Sequence, residues 1–367
     1  MDSIKETLNN VRKRLVRCAN PRANTDAMSE VLDIIGAPIY LYVITYVCYF
    51  GYHYLDDYHY GEIDENGERR WIWYFQKGLI VCIYFQMMAN WFEIRFVDSS
   101  LANAAKNMTL DQQTLDKIKL PDKTEAEITE KGDCKTQNES GAVKRRKGGK
   151  TDKNNGSALV QVKKISYWSW KPCDKCQLNA PPRCHHCPFC NVCVLKRDHH
   201  CFFAGKCVGF ENQRHFIVFL IWASFSTTYA MVYFLPFFYN NVLIDHSWWD
   251  CFFPVTLFKF VIGHVDFYHF NLITCFTMNF LFVFLSTAFL LEQYQLVSAG
   301  WTQFEQTKVD KRKLHIHDPR PLSAKIKAVL GQRPLVTILC PIARIWYPPC
   351  EDPFQWPDHK VTHHKVK

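Results

Sequence analysis

The chain has 367 residues, a net charge of +9, and 48% hydrophobic and 15% aromatic content gathered in blocks. The basic balance points to nucleic acid, anionic lipid or an anionic cofactor as partner. The opening MDSIKETLNNVRKRLVRC lacks an apolar core and is not read as a signal peptide, so the 16 cysteines are not read as the disulfide framework of a short secreted chain.

Four apolar blocks reach the roughly 20 residues that a bilayer crossing needs. They run from about Ile34 to Tyr54, Ile72 to Phe92, Phe216 to Phe238 and Phe270 to Leu291. The second is the weakest, because it carries Gln76, Lys77, Gln86 and Asn90. A fifth piece, Cys251 to Gly263, is too short and contains Pro254 and Lys259, so it reads as part of a lumenal loop. Basic residues flank the spans asymmetrically. Arg12, Lys13, Arg14 and Arg17 precede the first, and Lys308, Lys311, Arg312 and Lys313 follow the fourth, whereas Asp56, Asp57, Glu62, Asp64, Glu65 and Glu68 follow the first. The positive-inside tendency then places both termini and the segment between the second and third spans in the cytosol.

The resulting division is a tail at 1–32, two spans at 33–93, a polar linker at 94–163, a cysteine-rich module at 164–214, two spans at 215–291 and a tail at 292–367. The linker includes KRRK within Lys144 to Ser157, and from composition it is expected to lack a core of its own. Asn107, Asn138 and Asn155 lie in glycosylation sequons, but a cytosolic segment would carry no glycan.

The module holds C-x2-C (Cys173, Cys176), then His186, Cys187, Cys190, Cys193, His200 and Cys207. Six cysteines and two histidines make two four-ligand zinc sets, and thiolates stay free in a reducing compartment, in agreement with the charge-derived side. CHHC at 184–187 offers more donors than are needed, so exchange of a ligand for Cys184 or His185 stays open. Cys201 is left over. A cysteine nucleophile is activated by an adjacent imidazole that a carboxylate orients, and Asp198, His199 and Cys201 supply those three types. The other reading of Cys201 is a spare ligand or an idle thiol.

C-x2-C, HC-x2-C-x2-C, DHHC-x5-C and N-x3-F (Asn212, Phe216), set between a second and a third span, resemble the DHHC-type protein S-acyltransferases, or palmitoyltransferases. The resemblance implies an α-helical integral membrane protein with four transmembrane helices and a cytosolic zinc domain. It implies that Cys201 takes an acyl group from acyl-CoA (palmitoyl-CoA) as a thioester and passes it to cysteines of membrane-associated proteins. His199 would be the base and Asp198 its partner. Cys173, Cys176, His186 and Cys193 would hold one zinc, and Cys187, Cys190, His200 and Cys207 the other. The acyl chain would lie among the helices, where each buried CH2 contributes about 0.8 kcal/mol. Lys196, Arg197 and Lys206 are candidates for the CoA phosphates. The partners expected are acyl-CoA, substrate proteins and the lipid bilayer, with no nucleic acid, and the location an endomembrane, Golgi or endoplasmic reticulum.

The departures are Phe202-Phe203 where the family has Pro-Trp, Thr302-Gln303-Phe304-Glu305 for Thr-Thr-x-Glu, Asp98-Ser99-Ser100 for Asp-Pro-Gly, and Lys325 near the place of a C-terminal Asn motif. They mark a divergent member and keep a catalytically silent zinc-stabilised scaffold as the alternative. The tight ligand spacing lacks the long interval that a cross-braced RING-type ligase needs, and a channel or transporter is disfavoured by the few ionisable residues in the spans.

Overall fold

The computed structural model describes residues 26–55, 58–59, 61, 68, 70–119, 168–243, 248–312, 314–356 and 360–363. The first 25 residues, most of the acidic loop, the KRRK run, Asn138 and Asn155 lie outside them.

Four long helices form the body: α1 (Asp26–Phe50, continued as a π turn over Gly51–Leu55), α2 (Trp71–Phe96), and, beyond the cysteine-rich module, two more described below. After α2 come two short helices, α3 (Leu101–Asn107) and α4 (Gln112–Ile118). Ser100 caps α3 by accepting the Asn103 amide at 3.2 Å. Three hairpins follow: β1 (Lys171–Cys173) with β2 (Leu178–Ala180), β3 (His185–Cys187) with β4 (Val192–Val194), and β5 (His199–Cys201) with β6 (Lys206–Val208). Then come α5 (Gln213–Phe238), the short α6 (Phe253–Val261) and α7 (Phe267–Ala299). The C-terminal part holds α8 (Gln303–Arg312), β7 (Leu314–His317), α9 (Leu322–Leu330), α10 (Pro334–Leu339) and β8 (Lys360–His363), which pairs with β7.

Among the described residues, three segments are long and apolar enough to cross a membrane: Ile34–His53, Gln213–Leu243 and Phe267–Ala299. Helix α2 is long enough but more polar, and its Gln76, Lys77, Gln86 and Asn90 are all buried. Gln76 donates to the Tyr233 hydroxyl at 3.2 Å, and Asn90 to the Gln86 carbonyl at 2.9 Å. Its polar residues thus turn inward, where Gln76 bonds to α5 and Asn90 bonds within α2.

The helices alternate in direction. Phe50, Leu55, Phe234, Phe238, Leu272 and Ile273 form a core at one end. At the other end, Ile94, Cys201, Val208, Phe216 and Leu220 pack together, so the module sits where α2 ends and α5 begins. Gly36 near the start of α1 abuts the same place: a Cβ there would fall 2.5 Å from the Phe202 carbonyl oxygen.

Two expectations change. Residues 97–119, assigned from composition to the linker, are ordered onto the module. Leu101, Ala104 and Ile118 pack with Ala180, Cys184, Cys193, Leu195 and Phe210, so the module supplies the apolar surface that the segment lacks alone. The C-terminal region, assigned as a tail, folds back on the module, with Phe354 in that same cluster. Helix α7 also runs to Ala299, past the expected Leu291, and ends at Gly300 with φ of 74°. An added Cβ there would meet Asp318.

Candidate active site and metal centres

The three hairpins are copies of one local plan. In the first, Gln177 at φ 53° turns the chain after Cys173-x2-Cys176; in the second, Asn191 at φ 54° does so after Cys187-x2-Cys190. The third has Gly205 at φ 57° after Cys201-x2-Ala204. Cys173, Cys187 and Cys201 each close the first strand of a hairpin, fourteen positions apart.

Metal donors gather by the same period. Cys173, Cys176, His186 and Cys193 place one donor atom each within 4.8 Å of one another, and so do Cys187, Cys190, His200 and Cys207. The Cys176 and Cys190 sulfurs lie 3.2 and 3.3 Å from Nδ1 of His186 and His200. Three thiols and an imidazole at this mutual reach suit tetrahedral zinc. Each set takes two cysteines from one hairpin and a histidine and a cysteine from the next. A third set would need residues 204, 214 and 221 beside Cys201, and these are Ala204, Arg214 and Ile221. Cys184 is buried against Cys193 but outside both sets, and the His185 ring packs on Phe304 at 4.1 Å. Burial, the largest influence on it, lowers His185 to about 4.

Asp198, His199 and Cys201 come together on and beside β5. His199 Nδ1 lies 2.9 Å from Asp198 Oδ2. Asp198 is 1% exposed and its carboxylate is otherwise saturated: Oδ2 accepts from Gln293 Nε2 at 2.9 Å, and Oδ1 from the Gln303 amide at 2.7 Å. Burial would raise the Asp198 carboxyl, but these donors and His199 hold it below the ordinary range. Burial would likewise lower His199, but its bonds to Asp198 and Cys201 raise it to about 9. The imidazolium form is thereby favoured beside the 7% exposed Cys201 thiol. Phe216, ring centroid 4.7 Å from that of His199, limits the imidazole on one side.

Of the support around this group, sequence reasoning missed Gln293, whereas Thr302, Gln303, Glu305 and Asn212 were named only through the family resemblance. Gln293 interrupts an apolar helix, and that polar break was the available signal. Thr302 and Glu305 form a capping box at the start of α8, with Glu305 Oε2 accepting the Thr302 amide at 2.8 Å and Thr302 Oγ1 accepting the Glu305 amide at 3.2 Å. The box aims the Gln303 amide at Asp198, so the backbone at position 303, whatever its side chain, makes that bond. Asn212 is wholly buried and ties three segments: it accepts from the Gly209 amide and Ser99 Oγ and donates to the Ile94 and Cys207 carbonyls at 2.8–3.1 Å. Ser99 therefore has a role in the departure at Asp98-Ser99-Ser100. Lys325 donates to the Ser298 carbonyl at 2.7 Å, at the end of α7.

The basic candidates divide. Lys196 is buried and pairs with Glu351 at 2.7 Å, so it does not face an incoming phosphate; this corrects the expectation for it. Arg197 is half-buried, donates to the His186 carbonyl at 3.2 Å and lies 5.0 Å over the Phe304 ring. Lys206 is half-buried, directly across the hairpin from Cys201.

A cavity of about 390 Å³ runs from this group into the helices. His199, Cys201 and Phe203 stand in its wall with Ile44, Ile83, Leu220 and Phe282, so α1, α2, α5 and α7 all contribute.

Residues 167–310 match the family described as DHHC palmitoyltransferase. The chain is similar to palmitoyltransferase ZDHHC20-A of Danio rerio, 39% identical over 79 residues, which is 20% of this chain and 22% of that protein. It is similar to palmitoyltransferase ZDHHC2 of Homo sapiens, 35% identical over 74 residues, 19% and 20% of the two chains. With probable protein S-acyltransferase 12 of Arabidopsis thaliana it shares 30% identity over 135 residues, 36% and 41% of the two chains. The matched stretches thus span between a fifth and about two-fifths of these relatives.

Proposed function

From the match of residues 167–310 to the DHHC palmitoyltransferase family, we propose that this chain is a member of that family and a membrane-embedded protein S-acyltransferase acting through Cys201. The observation that carries this reading is the cavity: its walls are largely apolar, and its wall includes both Cys201 and His199. A long acyl chain is solvated there while its thioester reaches the thiol.

The Cys201 thiolate attacks the carbonyl carbon of acyl-CoA, the bond to the CoA sulfur breaks, and that sulfur takes the proton of His199. A substrate thiol then gives its proton to His199 and attacks the Cys201 thioester, which releases Cys201 as thiolate. Asp198 stays ionised throughout and supports the imidazolium. The two sets above would hold zinc, which would supply rigidity to the module.

In this reading α1, α2, α5 and α7 all span an endomembrane of the Golgi or endoplasmic reticulum, with both termini and the module in the cytosol. The alternating helix directions support that topology. Lys206 and Arg197 are the proposed contacts for CoA phosphates, and cytosolic cysteines of membrane-associated proteins are the acceptors. The intact Asp198–His199 pair weighs against a silent scaffold. Purified protein in detergent, given labelled palmitoyl-CoA, should gain a hydroxylamine-sensitive label that Cys201→Ser removes. Label that persists in Cys201→Ser would sink the assignment.

A further inference from the structure

The third hairpin gives His200 and Cys207 to the second donor set but has no donor pair across its own turn, so something else must hold that turn. The first two turns are fixed by donors that converge on one point. In the third, Arg95 at the end of α2 reaches the equivalent loop. Its Nη1 donates to the Ala204 carbonyl at 2.8 Å and to the Gly205 carbonyl at 2.6 Å. One turn earlier on the same helix, Trp91 Nε1 donates to the Phe203 carbonyl at 3.1 Å. The next carbonyl back, that of Phe202, lies against Gly36 of α1 at a distance that admits no side chain there. Four consecutive carbonyls after the nucleophile are therefore seated on two long helices.

We infer that Arg95 is a positioning residue for the proposed acyl transfer, a cation that takes the place of the missing metal and seats the Cys201 hairpin over the mouth of the apolar cavity. This rests on the acyltransferase reading. Charge-assisted hydrogen bonds to carbonyls are about twice as strong as neutral ones, and here one nitrogen makes two. Arg95 bonds to the loop carbonyls and not to Cys201 or His199, so it acts through the loop. A shift of about 1 Å in a reacting atom lowers a rate by up to about 100-fold.

The test compares full-length protein with Arg95→Met and Arg95→Lys. Met keeps length and helix preference without a donor, and Lys restores a cationic donor. Three quantities are read on each: zinc content, the rate of hydroxylamine-sensitive labelling at saturating palmitoyl-CoA with the half-saturating concentration, and alkylation of Cys201 by iodoacetamide, located by mass spectrometry. Arg95→Met should keep zinc and half-saturation. Its labelling rate should fall by about 10- to 100-fold, while alkylation of Cys201 rises as the loop lifts from α2. Arg95→Lys should return both rates most of the way. Unchanged labelling and alkylation in Arg95→Met would overturn the inference. So would zinc loss in Arg95→Met, or equal defects in the Lys and Met variants. An unaltered protein that takes no label would count against the acyltransferase reading instead, and the alkylation comparison would still report on Arg95.

Discussion

Arg183 and Glu305 meet in a two-pronged ion pair, Nε to Oε1 and Nη2 to Oε2, both at 2.7 Å, with each side chain only 1% exposed. Arg183 also donates to the Gly300 carbonyl at 3.0 Å and lies over the Trp356 ring at 4.4 Å. The pair thus fixes the module to the end of α7 and the start of α8, which is where Asp198 finds its amide donor. Breaking one side leaves an uncompensated buried charge, at a cost of about 3–5 kcal/mol. Glu305→Gln and Arg183→Ala should each lower the melting temperature and slow labelling. A melting curve unmoved in both would refute this role.

Asp198→Asn should retain zinc and lose labelling by roughly 10²- to 10⁴-fold, the range of a positioned acid–base group. The carboxylate holds His199 in orientation and supports its charged form, and an amide does neither. Zinc analysis on the same preparation separates this from unfolding. Comparable rates in the variant and the unaltered protein would contradict the proposed role.

Zinc loss should follow the sets. Cys207→Ser and His200→Ala should each lower metal content, and His186→Ala or Cys190→Ala should unfold the module. Cys201→Ser should leave metal content unchanged. Two zinc ions per chain is the expected stoichiometry, checked by elemental analysis of folded protein.

Acid should weaken the junction around Glu351. Burial would raise its carboxyl, but Lys196, Arg183 and Arg320 hold it at about 2, below its ordinary 4.5. The stabilisation is complete above the unfolded value and is lost as pH falls from about 4.5 toward 2. On the linkage scale it amounts to a few kcal/mol. Glu351→Gln should therefore melt lower than the unaltered protein at pH 7, and the gap should close on acidification. A gap independent of pH would show that the charge is not the source.

What was legible in the sequence was what short spacing encodes. The metal donors and the Asp198–His199–Cys201 group lie within 35 positions; the donors gather in the two sets that the family resemblance implied, and His199 lies against Asp198. Lys196 was misjudged because its partner Glu351 lies 155 positions away and no local pattern announces it. Helices α3 and α4 were taken for linker because three buried anchors, Leu101, Ala104 and Ile118, are too few to read as a core until the module supplies the other half. The polar residues of α2 made it the weakest span on paper, and their inward orientation could not be read without the neighbouring helices.

The interleaving of donor sets gives damage a direction. A metal in each set would rivet one hairpin to the next, and the Cys201 hairpin, with His200 and Cys207, would be the last link. An oxidant or chelator that opens the first set leaves that link riveted to its neighbour. One that opens the second leaves it held by protein contacts instead, among them those of Trp91, Arg95, Asn212 and Gln293. The two metal positions are alike in chemistry yet unequal in consequence, and a partial loss of zinc would matter by which rivet was drawn rather than by how many.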